Sequence, residues 1–326
     1  MKKHKICKIL LVILAIFLCV AFYELLGICV AYKKQPEVSN TTKKETKNGS
    51  WNECSENTER AVIIEKNPEA LLQRVRLIKN AKKEIILSTF AFQSDESGKL
   101  ILGALHDAAD RGVHIRLLVD GMESWIDMEG NPYFYGLSSH ENVEIKLYNK
   151  ANPLKPWKMM GRMHDKYLIA DGKRYILGGR NTYNYFLGDF PGHKNYDRDV
   201  LVVCDEPEKE NSVNQLLEYF ETIWEQEDSD YFHDNKKLAN RKSVKNAVLE
   251  LQNGYQKYFE ENKERICDTD YTDETFETEK IALVSNPIHT GSKEPVVWYQ
   301  LGELMKNAKN RVKIHTPYII LSLIHI

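Results

Sequence analysis

The stretch Met163-His164-Asp165-Lys166-Tyr167-Leu168-Ile169-Ala170-Asp171-Gly172-Lys173-Arg174-Tyr175-Ile176-Leu177-Gly178-Gly179-Arg180-Asn181 decides the fold. Residues 163–170 read as a short strand with a buried apolar end, Asp171-Gly172 is a hairpin-turn pair, and residues 175–177 supply a partner strand that closes on two glycines. A hairpin follows. Side chains alternate along a strand, so His164 and Lys166 share one face while Asp165 and Tyr167 take the other. If the second strand returns beside the first, Asn181 comes back close to His164. Gly178-Gly179 then offers backbone that a ligand can approach, because no Cβ is in the way. Such a corner suits an anion.

The chemistry these residue types permit is attack on a phosphodiester. An imidazole is a nucleophile when a carboxylate holds its other nitrogen, and an ammonium with a side-chain amide can neutralise and orient the oxygens on which charge develops. No metal is required. A His-x-Lys pair alone would read as a solvated strand edge; Asp171, the glycine pair and Asn181 at their spacings change that reading. Together, His164-x-Lys166-x-x-x-x-Asp171 and Gly178-Gly179-Arg180-Asn181 resemble the signature of the phospholipase D superfamily, with flanks similar to its bacterial cardiolipin synthase-like branch. Residues 108–120 also resemble the corresponding family element. The resemblance implies a phosphohistidine on His164, with Lys166 and Asn181 binding phosphoryl oxygens and Asp171 in a supporting, orienting role. It further implies two such motifs meeting at one site. In the same branch an acidic-to-strand element follows the first motif, which makes Asp197 and Asp199 candidates for the carboxylate that supports the histidine or packs the motif.

The 326 residues, 42% hydrophobic, suffice for a sizeable core and more than one unit, and the formal net charge of −2 disfavours a nucleic-acid partner for the surface as a whole. Residues 9–32 are apolar apart from Glu24 and a glycine, Gly27, and match a bilayer span in length. Lys2, Lys3, Lys5 and Lys8 before it predict a cytoplasmic N-terminus and an exported remainder, a bias partly offset by Lys33, Lys34, Lys43 and Lys44 beyond it. A retained anchor fits better than a cleaved signal peptide, since the run is long and no small-x-small site stands out. Cys54, Cys204 and Cys267 are widely spaced, with no CxxC pair or histidine cluster, so neither a metal nor another cofactor is expected and one disulfide stays open.

In chain order, residues 34–59 read as a polar tether, 70–80 as a helix, 84–92 as a strand, 98–111 as a helix and 113–120 as a strand. That order favours an α/β sandwich with a mixed sheet. The fold expected overall is therefore α/β: a phospholipase D-like mixed-sheet sandwich flanked by helices and preceded by an N-terminal transmembrane helix. Asp120 ends its strand at the edge where α/β sites collect, although a cap or turn role is the simpler one. Trp125, Tyr133, Phe134 and Tyr135 read as packing residues first, while Trp157, Met159 and Met160 ahead of the motif suggest a membrane-facing entrance. Residues 143–147 and 199–203 read as strands and 211–225 as a helix.

The domain reading is a tip and transmembrane helix over 1–33, the tether over 34–59, a first catalytic domain over 60–240, a charged helical connector over 241–280 and the opening of a second such domain over 281–326. Strand 281–286, helix 297–308 and strand 312–320 repeat in coarse order the start of the first domain, and the family resemblance implies that they open a second one. No second His-x-Lys motif occurs, and His315 lacks the following lysine and aspartate, so a truncated second domain is expected, or else a site completed across a homodimer. The function implied is a phosphatidyltransferase in the bacterial cell membrane, single-pass, with its catalytic part on the extracytoplasmic side. It would act on membrane phospholipid, phosphatidylglycerol foremost, and complete its site with a second phospholipase D-like domain in cis or a homodimer partner. The alternatives are a hydrolase or nuclease using the same site, or a membrane-anchored scaffold without catalysis.

Overall fold

The computed structural model describes residues 2–34, 36–48, 59–207, 210–233 and 235–314. Two compact units divide these residues: the first draws on the ranges 1–34, 54–283 and 288–292, the second on 35–53, 284–287 and 293–326. The elements in chain order are α1 (Lys2–Ala31), α2 (Asn40–Asn48), β1 (Arg60–Ile64), α3 (Asn67–Asn80), β2 (Glu84–Thr89), α4 (Glu96–Asp110), β3 (His114–Asp120), α5 (Gly121–Asp127), α6 (Pro132–Ser138) and β4 (Val143–Tyr148). A 3-10 turn at Pro156–Lys158 precedes β5 (Tyr167–Ala170), β6 (Arg174–Gly178), β7 (Asp199–Val203), α7 (Ser212–Trp224), β8 (Ser229–Tyr231), α8 (Lys242–Glu261), α9 (Lys263–Cys267), β9 (Phe276–Glu277) and α10 (Val296–Asn307).

The strands form one mixed sheet in the order β8-β4-β3-β2-β5-β6-β7-β1-β9. β2, β3 and β4 run parallel, and the remaining neighbours pair antiparallel. The hairpin at the centre is as its residues dictate. β5 and β6 pair with Tyr167 opposite Leu177 and Ala170 opposite Arg174, and in the three-residue connection Asp171 and Gly172 turn the chain with φ of 54° and 64°, a left-handed pair closed by Lys173 N to Ala170 O at 3.0 Å.

Both faces of the sheet are covered, which is why its central strands are apolar nearly throughout. Ile85, Leu87, Ile115, Leu117 and Leu168 join the core beneath α3, α4, α6 and α8. Ile86, Leu118, Tyr167, Ile169 and Val202 pack instead with Val213, Leu216, Phe220 and Ile223 of α7. The α/β sandwich is thus present. α1 is 30 residues long, and its segment Lys5–Ala31 is long and apolar enough to cross a membrane by length and composition. At 1.5 Å per residue those 27 residues span about 40 Å.

Several boundaries differ from expectation, each for a physical reason. The strand expected over 163–170 begins at Tyr167, so His164 lies on the lead-in rather than in the ladder. The tether contains α2, where the Ser39 hydroxyl accepts from the Thr42 amide at 3.1 Å and starts the helix. The supposed connector is part of the first unit: α8 buries Val244, Ala247, Leu251, Tyr255 and Phe259. Its charged outer face hid this amphipathic packing. The strand expected over 281–286 is not formed, whereas α10 matches the helix expected there; residues 312–314 are not in a strand, and the rest of that stretch, His315 included, lies outside the described residues. Among the expected cysteines, Cys267 is exposed and forms no disulfide, and Cys54 lies outside the described residues.

α8 can reach α4 because position 103 has no side chain: a Cβ on Gly103 would stand 2.6 Å from the Leu251 carbonyl oxygen and 2.7 Å from the Tyr255 Cβ. Gly103→Ala is therefore expected to destabilise the first unit by about 1–3 kcal/mol, read as a lower urea midpoint at unchanged slope. An unchanged midpoint would show that α8 does not pack there.

Candidate active site

β5 runs antiparallel to β2, so the segment entering β5 lies at the carboxyl ends of β2 and β3. The same edge receives Phe90 and Ala91 after β2, Asp120 at the end of β3, Gly178 to Asn181 at the end of β6, and Asp197 to Asp199 at the start of β7. Loops that converge on one rigid edge can hold a constellation that no single segment encodes.

Lys166 is 5% exposed, and its Nζ donates to the carbonyl oxygen of His164 at 2.7 Å. It lies 5.3 Å from the centre of the Phe90 ring. Burial pulls its ammonium down to about 8, against the opposing charges of Asp165, Asp197 and Asp120. His164 is exposed at the rim, its ring edge-on to Phe90 with centroids 4.7 Å apart. Partial burial and then the Lys166 charge lower it below the ordinary imidazole value, with Asp165 and Asp120 opposing. At neutral pH the pair is therefore a free imidazole beside an ammonium. Asp165 points to the other face, where the Tyr219 hydroxyl donates to it at 2.7 Å, as the strand alternation requires.

Asn181 is buried beside them. Its Oδ1 accepts from the Ala91 amide at 3.2 Å. The backbone beyond is tied to the strand after Phe90 by Thr182 N to Ala91 O at 3.1 Å. His164, Lys166 and Asn181 thus occupy one edge of the sheet.

The sequence reading missed the frame behind this trio. Asp120 is fully buried and accepts from Arg162 Nε at 2.8 Å, Met163 N at 3.0 Å and Met122 N at 3.0 Å. It caps α5, as expected, and in addition clamps the two residues that precede His164. Arg162 also lies 5.1 Å from the Phe90 ring centre, so one aromatic ring touches His164, Lys166 and Arg162. The alternation that paired His164 with Lys166 also places Arg162 on that side, a signal present in the sequence. Phe90 had none beyond its place at a strand end.

Four expected site residues are placed otherwise. Asp171 does not join His164: it stands at the other end of β5, about 16 Å from Lys166 at 3.3 Å per residue. There its carboxylate accepts from the backbone amides of Lys82 at 2.8 Å, Lys83 at 2.7 Å and Glu84 at 3.0 Å. Asp199 is buried between Arg74, at 2.9 Å, and Arg180, at 3.2 Å, so it packs the motif and does not support the histidine. The space left by the missing Cβ atoms of Gly178 and Gly179 is filled by carboxylates rather than open to an anion: a Cβ on either would fall 2.0 Å from an oxygen of Asp199 or Asp197 respectively. Asp197 acts on the site by charge, raising Lys166. Among the described residues no group of three His, Cys, Asp or Glu side chains is arranged to hold a metal ion.

Residues 74–224 match the family model described as cardiolipin synthase, PLD-like domain. Cardiolipin synthase C of Escherichia coli (strain K12) is 29% identical over 171 residues, covering 48% of this chain and 34% of its own. Cardiolipin synthase 1 of Staphylococcus aureus (strain MRSA252) is 34% identical over 117 residues, 36% of this chain and 23% of its own. A protein of Helicobacter pylori (strain ATCC 700392 / 26695) is 29% identical over 288 residues, 80% of this chain and 54% of its own. The chain thus spans 54% or less of each of these relatives. Among solved structures, phosphatidylserine synthase of Haemophilus influenzae Rd KW20 aligns with a TM-score of 0.45 at 18% identity, over 68% of this chain and 48% of that one. Nuc, a phospholipase D family member from Salmonella typhimurium, aligns at 0.39 and 20% identity, over 54% and 99%.

Two outcomes follow from the geometry. Asp171→Ala removes the acceptor for three amides and puts alanine at a positive φ, so it is expected to lower stability by about 2 kcal/mol while the rate per folded molecule stays constant; denaturant titration beside kinetics checks this. For phosphodiester turnover, kcat/KM is expected to fall on the acid side below the ordinary imidazole value as His164 protonates. On the alkaline side it should fall near pH 8, as Lys166 loses its proton. A profile flat up to pH 9.5, about 1.5 units beyond the lysine value, would contradict the lysine assignment.

Proposed function

From the premise that residues 74–224 form a phospholipase D superfamily domain, distantly related to those of bacterial cardiolipin synthases, we propose that this protein is a membrane-anchored phosphatidyltransferase. The observation that carries the reading is the free imidazole of His164 held beside the buried ammonium of Lys166. In the proposed reaction a ring nitrogen of His164 attacks the phosphorus of phosphatidylglycerol. The bond from phosphorus to the glycerol oxygen breaks, glycerol leaves with a proton, and a phosphatidyl-histidine remains. Lys166 and the Asn181 amide bind the non-bridging oxygens, where charge builds in the transition state. The hydroxyl of a second phosphatidylglycerol then attacks the phosphorus, gives up its proton and frees the histidine, yielding cardiolipin; water in its place yields phosphatidic acid.

A second phospholipase D-like domain in cis, or a second copy of the chain, would supply the group that protonates the leaving oxygen. α1 serves as a single-pass anchor in the bacterial cell membrane, with the catalytic unit on the extracytoplasmic side. Asp197 stays a supporting residue through its charge on Lys166, while Asp171 is assigned to the fold.

The test is mass spectrometry of products formed from phosphatidylglycerol vesicles by the full-length protein. His164→Ala is expected to lower phosphatidyl transfer about 10⁴-fold or more, and Asn181→Ala about 10²-fold. An acid-labile phosphatidyl adduct should appear on the wild-type chain and be lost with His164. Wild-type turnover by His164→Ala would overturn the mechanism.

A further inference from the structure

The apolar helix α1 meets the catalytic unit at the edge that carries His164. The Tyr23 hydroxyl donates to the Leu154 carbonyl oxygen at 3.0 Å, and the Tyr32 hydroxyl donates to that of Thr290 at 2.8 Å. Between these two contacts Gly27 lies so close to the 3-10 turn that a Cβ there would stand 2.5 Å from Pro156 Cγ. Thr290 in turn rests on Gly161, whose missing Cβ would fall 2.3 Å from the Thr290 carbonyl oxygen, three residues before His164. The last third of the helix is thus seated on the segment that leads into the nucleophile. A helix of about 40 Å exceeds a hydrocarbon core of about 30 Å, so Tyr32, just past its end, falls in the headgroup layer, where tyrosine and tryptophan are favoured, while Tyr23 lies about two turns further in.

Around this seat the surface is unusually apolar for a loop region. Leu154 is 76% exposed, Trp157 46% and Met160 57%. On α5, Trp125 is 68% exposed and Ile126 67%, whereas Phe134 and Tyr135 of the next helix are buried in the core. α5 and the loop adjoin, since a Cβ on Gly121 would stand 2.6 Å from the Lys150 amide nitrogen. Lys33, Lys34, Lys150 and Lys155 stand exposed beside them. Apolar side chains with Lys33, Lys34 and Lys155 exposed near them match the two layers of an anionic membrane surface, acyl boundary and phosphate headgroup, while the exposed Glu227 and Asp230 line one cavity with Lys150 and Lys155.

We propose that Trp125, Ile126, Leu154, Trp157 and Met160 form a rim that rests in an anionic lipid surface around the base of α1 and holds His164 at the bilayer. The inference deepens the proposed function and rests on its reading of α1 as an anchor. Lipid would then reach the site by lateral diffusion, with its phosphate at the height of Lys166.

The test uses the full chain in vesicles of phosphatidylcholine and phosphatidylglycerol in which the acyl chains carry bromine close to the headgroup. Bromine quenches tryptophan only at contact range, and the remaining tryptophans are common to both proteins compared. Quenching is expected to fall at least twofold from the wild type to the Trp125→Phe, Trp157→Phe variant. Equal quenching in the two overturns the rim. As a second measurement, Trp157→Asp should lower turnover of vesicle phosphatidylglycerol at least tenfold and leave hydrolysis of soluble bis(4-nitrophenyl) phosphate unchanged; wild-type turnover of vesicle lipid by this variant likewise overturns it. Rim quenching without phosphatidyl turnover by any form of the protein would uphold the rim and remove the transferase reading. Turnover with equal quenching would do the reverse.

Discussion

Asp199 lies buried between the guanidinium groups of Arg74 and Arg180, and the working edge of the sheet depends on that triad. Each member comes from a different segment: α3, the turn after β6, and the first residue of β7. Arg180 also donates to Asn67 Oδ1 and to the carbonyl oxygens of Ile64, Glu65 and Asp197, which brings the end of β1 and the approach to β7 into the same knot. Burial lowers the pKa of Arg180, and the Asp199 carboxylate is the main group opposing that. In such a cluster, losing Asp199 would leave two guanidinium groups uncompensated in the interior, at a cost of about 3–5 kcal/mol. Gly178 and Gly179 are glycines because the carboxylates behind them come too close for a Cβ. The packing that fixes the turn thereby places Asn181 against the Ala91 amide, at the edge of the sheet that also carries Lys166.

Much of this was legible in the sequence because it is local. The Asp171-Gly172 turn, the alternation through Tyr167 and Ile169, and the shared face of His164 and Lys166 follow from φ sterics and a period of two. The place of Asp171 was equally available and was obscured by the motif. Spacing along a strand is a distance, and five residues past Lys166 is the opposite end of the sheet. Its carboxylate became the acceptor for the amides entering β2, so a residue read with the chemistry turned out to hold the fold.

What the sequence concealed is what other segments bring. Asp120 reads as a cap, and it is one, but its second oxygen clamps Met163 and its first binds Arg162 across 42 residues. α8 reads as a charged connector, since only one face carries the apolar residues and their partners lie on helices far upstream. β8 and β9, of three and two residues, are too short to show any period. Tertiary proximity decides each of these cases, and no window along the chain contains it.

The two perturbed groups of the site acquire a common logic if the catalytic edge rests on an anionic bilayer. A surface potential of about −30 mV concentrates protons and raises apparent pKa values by about half a unit. An ordinary imidazole at such a surface would carry a proton for much of the time and be blocked as a nucleophile. The burial that lowers His164 would work against that and keep the ring free. For Lys166 the same potential would act in the useful direction: burial, offset in part by Asp165, Asp197 and Asp120, leaves its ammonium close to titration at about 8, and a membrane field would move it back toward the charged form. On the proposed reading, desolvation would keep the His164 imidazole free and the membrane field would favour the Lys166 cation, and both effects would require the site to stand at the bilayer surface.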